Sequence, residues 1–227
     1  MKATCELSAQ KVMDGVSAID KPSWTPRELI KAAARGLALL LATPALLSFW
    51  VRAQFLGRDR ALEGSCQALS LLPGLWGQYV RRAFLSRVLA RCHSSTCIGF
   101  GVLFSKTGTR LDEYVYLGPG CQIGLAHIER DALLASGVHV TSGAKTHGFA
   151  ELDTPIREQA GEPTMVRIGA GAWIGSNAVV MADVGSHTIV GAGAVVTRPL
   201  PDRVIAAGVP ARVIRPRDEV RTRNKES

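Results

Sequence analysis

VRIGAGAWIGSNAVVMADVGSHTIVGAGAVVT, residues 166–197, decides the fold. An aliphatic residue followed by Gly or another small residue returns at Ile168, Ile174 and Val180, then at Val184, Val190 and Val196. The period is six, broken once. Neither the strand period of two nor the helical period of 3.6 produces such a repeat. A solenoid does: each hexad supplies one short strand and one turn, and three hexads close a triangular coil. The aliphatic points into an interior shared with the coils above and below, and Gly, Ala, Ser or Asn takes the corner, where φ is positive or a large Cβ collides. A Val/Gly-rich β-sandwich is the alternative, but its strands are separated by longer turns rich in Asp, Asn and Pro.

Upstream the rhythm is rougher. Ile98 and Phe104 open hexads, a slip of one residue brings Leu111, Leu117 and Ile123 restore the pattern, and Ile128, Leu134 and Val140 follow. Together the two stretches make an all-β solenoid of about five coils, placed at residues 97–215. Between them, TSGAKTHGFAELDTPIREQAGEPTMVR (141–167) breaks the repeat. A loop of more than twenty residues thrown from a tight solenoid costs order and is usually functional. From Pro199 the chain leaves the hexads as a last coil edge and capping strand, and residues 216–227 form a charged tail.

The 227 residues are 47% hydrophobic but only 6% aromatic, as suits a solenoid of small aliphatics. The five cysteines are odd in number and scattered, and the first twenty residues are polar, so a reduced, cytoplasmic setting is expected. Cys92 and Cys97 flank HSST without a second pair, which marks them as ordinary thiols and implies no metal. The net charge of +8 is concentrated: residues 27–91 hold ten basic side chains against three acidic ones, giving +7. This basic character belongs to an N-terminal α-helical region, residues 23–96, after a loosely ordered 1–22.

In that region Thr25, Pro26 and Glu28 make a capping box, and residues 36–51 carry no charge and include Pro44. Sixteen residues span about 24 Å, short of the roughly 30 Å hydrocarbon core. Arginine flanks both ends. A kinked helix lying in the inner leaflet is expected, with packing against the solenoid or a true span as the alternatives. Residues 71–91 read as a second amphipathic helix whose face holds Trp76, Tyr79, Val80, Ala83 and Phe84, with Arg81 and Arg82 off it. Such helices suit an anionic membrane surface, and no nucleic acid is implied.

The segments AWIGSNAVV (172–180), IVGAGAVVTRPLP (189–201) and AAGVPARVIR (206–215), with a His-bearing loop before them, resemble the left-handed β-helix, hexapeptide-repeat acyltransferases. LSLLPGLWGQYVRRAFLSRVL (69–89) looks like the N-terminal part of the branch that acetylates sugars during capsule or exopolysaccharide synthesis. The left hand comes from the resemblance alone, against the usual crossover rule.

The resemblance implies a homotrimer that binds acetyl-CoA between neighbouring prisms. It implies that His147, in KTHGF, takes the proton of a sugar hydroxyl on a lipid-linked glycan or its precursor. A neutral imidazole in that role raises a rate by roughly 10² to 10⁴. Glu151 and Asp153 are the carboxylates near enough in sequence to orient it. A backbone N–H at Gly175 or Ser176 would polarise the thioester oxygen. Ser176 and Ala192 would touch the pantetheine arm, with Thr197, Arg198 and Arg212 towards the nucleotide and its phosphates. Other readings of the same residues are a soluble small-molecule acyltransferase and a non-catalytic scaffold.

Overall fold

A computed structural model describes residues 26–218. The expectations for residues 1–22, for the cap at Thr25 and for most of the charged tail lie outside the described residues. Met1–Gly36 and Leu37–Ser227 are separate compact units.

Three helices precede the solenoid: α1 (Pro26–Leu56), α2 (Arg58–Ser70) and α3 (Gly74–Val88). In the C-terminal half of α1, Phe49 is buried edge-to-face on Phe84 of α3, with centroids 5.9 Å apart, and Arg52 Nη2 donates to Ser65 Oγ of α2 at 2.7 Å. The large aliphatics lie on the outside. Leu40, Leu47, Val51 and Phe55 are 67%, 64%, 61% and 83% exposed, and the segment Ile30–Leu56 is long and apolar enough to cross a membrane. Helix α2 has no clear signal in the sequence, since Gly64 and its polar residues blur the period.

Helix α3 differs from expectation in which face it buries. Val80, Arg81, Phe84, Leu85 and Val88 point inward, whereas Trp76 is exposed. Arg81 is inside because the end of α2, the turn after it and the first coil present carbonyls within reach of one guanidinium. Its guanidinium donates to Leu72 O at 2.6 Å, to Leu69 O at 3.3 Å and to Ile98 O at 3.1 Å, tying the α2–α3 turn to the first coil.

The solenoid opens ahead of Cys97, where the sequence places it. Strands β1 (Arg91–Cys92), β2 (Cys97–Ile98) and β3 (Leu103–Phe104) form the first coil. The second holds β4 (Arg110–Leu111), β5 (Tyr116–Leu117) and β6 (Gln122–Ile123), and the third β7 (Ala126–Ile128), β8 (Leu133–Leu134) and β9 (His139–Val140). The fourth holds β10 (Val166–Ile168), β11 (Trp173–Ile174) and β12 (Val179–Val180). The fifth has a single bridge at Val184, then β13 (Ile189–Val190) and β14 (Val195–Val196). A sixth begins with a bridge at Leu200 and continues with β15 (Val204–Ala207), on which β16 (Arg212–Pro216) folds back antiparallel. Arg91–Cys92 is a strand without the aliphatic-Gly signature, and its pairing with β4 identifies it.

Like strands stack in parallel into three faces, termed A (β1, β4, β7, β10), B (β2, β5, β8, β11, β13, β15, with the antiparallel β16 at its edge) and C (β3, β6, β9, β12, β14). In each pair the second residue points in, and every aliphatic that sets the sequence rhythm is buried. The outward columns differ. Face A shows Arg91, Arg110, His127 and Arg167 in register, face B shows Tyr116, Leu133, Trp173, Ile189 and Ile205, and face C shows Leu103, Gln122, His139, Val179 and Val195.

Arg81→Met keeps the volume but removes the side-chain donor to Leu72 O and Ile98 O. A loss of roughly 3 kcal/mol is expected from a buried charge-assisted network, read as a lower urea midpoint.

Candidate active site

Face C carries a cleft of about 440 Å³. Its floor is β3, β6 and β9, with the outward side chains of Gln122 and His139. Helix α2 supplies Glu63 and Gln67, and Thr146 of the long loop also lines it. The helix is fixed over the floor at its N-terminal end. Asp59 Oδ1 accepts from Thr107 N at 2.9 Å and Thr107 Oγ1 at 2.8 Å, and Lys106 Nζ donates to Oδ2 at 3.2 Å. Partial burial pushes the Asp59 carboxyl up, but these hydrogen bonds outweigh it and hold the group below its ordinary value.

The loop leaves β9 at the corner between faces C and A and returns to β10. Its limbs are zipped: Thr164 N donates to Ser142 O at 2.9 Å and Glu162 N to Lys145 O at 2.7 Å. Gly161 lies against Thr146 and His147 so closely that a Cβ would meet Thr146 O at 2.0 Å and His147 N at 2.8 Å. His147 therefore follows the cleft residue Thr146 directly, and its side chain is exposed. Neither Glu151 nor Asp153 hydrogen-bonds it among the described residues. Glu151 is instead held through its backbone by Gln159.

The residues assigned to an acyl donor flank the rest of the same face. Ser176 and Ala192 follow one another on the corner between B and C, where Gly193 N donates to Ser176 O at 2.8 Å. Thr197 and Arg198 are exposed on the opposite corner, between C and A. Arg212 follows Ala211, whose N–H bonds Val195 O at 2.8 Å, so it stands beyond the last strand of face C.

Gly175 lies in the corner that follows β11. Its N–H donates to Val190 O at 2.8 Å as part of the coil ladder, and a Cβ there would strike Ala192 N at 2.4 Å, so the glycine serves packing. The Ser176 N–H has no hydrogen-bond partner among the described residues, which leaves it able to serve a carbonyl oxygen.

The other histidines separate. His127 is on face A, 3.0 Å from Asp112 Oδ2, and His187 turns the A–B corner with φ of 58°. His139 is the residue that sequence reasoning passed over. Folding the hexads into threes would have found it, because it precedes an inward valine on the face from which the loop departs. Trp173 points out of face B, away from the loop's base. Burial pushes the Cys66 and Cys92 thiols up to about 12, consistent with unreactive thiols.

Residues 165–198 match the bacterial transferase hexapeptide (six repeats) family. The chain is 32% identical over 126 residues to WbbJ of Escherichia coli K12, named as a lipopolysaccharide biosynthesis O-acetyl transferase; this is 52% of the chain and 62% of the relative's length. It is 45% identical over 62 residues to E. coli galactoside O-acetyltransferase, covering 26% and 29% of the two. The chain thus spans less than two thirds of these relatives.

Among solved structures, a maltose O-acetyltransferase from Clostridium difficile 630 superposes with a TM-score of 0.60 at 18% identity, over 70% of this chain and 87% of that one. A galactoside acetyltransferase in complex with coenzyme A gives 0.55 at 19% identity, over 72% and 84%. At this identity the structures speak for the fold. The resemblance to hexapeptide-repeat acyltransferases and the left-handed β-helix are borne out.

Because the Asp59 pKa is depressed in the folded protein, its clip contributes stability above the ordinary Asp value and loses it as pH falls through the folded one. Asp59→Asn is expected to flatten the acid side of the unfolding curve. It should also speed amide exchange in the first turns of α2.

Proposed function

We propose that this protein is an acyl-CoA-dependent O-acyltransferase, moving an acetyl group from acetyl-CoA to a sugar hydroxyl of a lipid-linked glycan or polysaccharide precursor. One observation carries the reading. A single solenoid face bears a cleft lined in part by Glu63, Gln67, Gln122 and His139 beside a His-bearing loop and, farther along the same face, a strip bordered by an unengaged corner N–H and two arginines. Coenzyme A is the ligand of a structural neighbour, and a role in lipopolysaccharide synthesis is in the name of WbbJ.

In this mechanism the nucleotide end of the donor lies towards Arg198 and Arg212, with Thr197 beside it, and the pantetheine arm passes Ala192 and Ser176 to bring the thioester towards the loop. Phosphates favour such arginines through charge-assisted, forked hydrogen bonds. His147 accepts the proton of the sugar hydroxyl as that oxygen attacks the thioester carbon, and the Ser176 N–H stabilises the oxyanion. Collapse breaks the carbon–sulfur bond and leaves the acyl ester and coenzyme A.

The apolar outward column of face B supports self-association as a homotrimer, because five successive rungs offer Tyr116, Leu133, Trp173, Ile189 and Ile205 to a neighbour. The exposed aliphatics of α1, within a region of net +7, support a place on the cytoplasmic face of an anionic membrane. A lipid-linked acceptor sits at the same surface.

His147→Ala should slow acetyl transfer by about 10² or more while acetyl-CoA binding, measured by calorimetry, stays within threefold. A loss under tenfold would remove the base assignment. The triple change Leu40→Ser, Leu47→Ser and Phe55→Ser should reduce flotation with phosphatidylserine-containing liposomes by about an order of magnitude. Equal flotation of both proteins would show that α1 is not the membrane contact.

A further inference from the structure

We infer that His139 is a second catalytic group at the reacting centre, the acid that protonates the departing thiol of coenzyme A. The inference rests on the acyltransferase reading above and adds to it a residue and a proton path.

His139 is the outward residue of β9. Gln122 neighbours it on one side and Val179 on the other, each one strand spacing away, about 4.8 Å. On the Gln122 side lies the cleft, under Glu63 and Gln67 of α2. On the Val179 side, β12 and β14 form the strip between the Ser176–Ala192 corner and the Thr197–Arg198 corner. His139 is thus the last floor residue of the acceptor side and the neighbour of the first rung of the donor side. A pantetheine arm entering past Ala192 and Ser176 and a hydroxyl held in the cleft meet at that rung.

The side chain is exposed to the cleft, on a strand whose backbone is locked by His139 N donating to Ala178 O at 2.9 Å. Rigid placement on a strand suits a group that must meet a fixed atom. His147 is on the loop, one residue beyond Thr146, which lines the cleft. Two imidazoles therefore serve one reaction from two elements. Among the charged and titratable side chains facing the cleft are His139 and, from α2, Glu63.

The balance is as follows. The acceptor hydroxyl gives its proton to His147 while its oxygen bonds the thioester carbon. The intermediate then collapses and the carbon–sulfur bond breaks with its electron pair on sulfur. Protonated His139 passes its proton to that sulfur and releases the thiol, which at a thiol pKa near 8.5 is the stable form at neutral pH. The proton on His147 returns to His139 through solvent, and the enzyme is restored.

The test uses the full-length protein with 13C-labelled histidines, acetyl-CoA as the probe and water as the acceptor. His139→Gln assigns the resonance. If the inference holds, acetyl-CoA shifts the His139 imidazole signal. His139→Gln then slows thiol release by about 10²-fold with acetyl-CoA affinity within threefold. The deficit of His139→Gln narrows with an acetyl thioester whose leaving thiol is more acidic than coenzyme A and needs no proton, which a purely structural role for His139 would not produce. Acetyl-CoA that binds without moving the His139 signal, or thiol release at the wild-type rate in His139→Gln, overturns the inference and leaves the acyltransferase reading standing. Failure of the wild-type protein to bind acetyl-CoA overturns both.

Discussion

The structure depends on the narrow interior of the coil. Successive rungs rise by a strand spacing of about 4.8 Å, so each inward side chain touches its equivalents above and below as well as those of the other two faces. Only one aliphatic fits per rung and face, and the corner residues must be small or adopt positive φ. Gly175 shows how tight the corner is, since a single added carbon would meet the backbone of Ala192. Each strand is only two or three residues long through most of the solenoid and has no stability of its own; the stack supplies it.

That regularity frees the outward positions, and the three faces have diverged. Face A pairs charge with charge: Arg167 and Glu129 approach to 2.6 Å, and Arg91 and Asp112 to 3.0 Å. The hydrogen bonds and charge of Arg167 hold the Glu129 carboxyl below its ordinary value. Face B is apolar along its length. Face C is polar where α2 and the loop overhang it and bare beyond. Surfaces built from one repeat thus differ in character: one is charge-paired, one is apolar and one carries a cleft.

The helical region is attached to this scaffold by polar contacts at both of its joints. Arg81 binds the α2–α3 turn to Ile98, and Asp59 binds the start of α2 to Thr107. Both are charged groups satisfying backbone donors or acceptors that would otherwise be unpaired. The consequence for the site is a helix that holds its position over face C. Helix α1 is different, because its large aliphatics remain outside while Phe49 goes in.

By itself the sequence determined the solenoid, its inward residues and the place where it is interrupted. A six-residue period is a local property, and every coil repeats it, so thirteen aliphatics and Phe104 could be placed inside from spacing alone. It also located the long loop between Val140 and Val166. The tertiary structure decided what depends on closure into threes and on packing between elements. Only the register shows that His139 and Gln122 share a face with Glu63 of a helix far away in sequence. Only the coil ladder shows that the Gly175 N–H is already engaged and the Ser176 N–H is not. Arg81 reads as a solvated charge on a helical wheel, yet it is buried, because the carbonyls that draw it in belong to another helix and to the first coil. A wheel or a hexad describes one element, whereas a hydrogen bond or a cleft needs two.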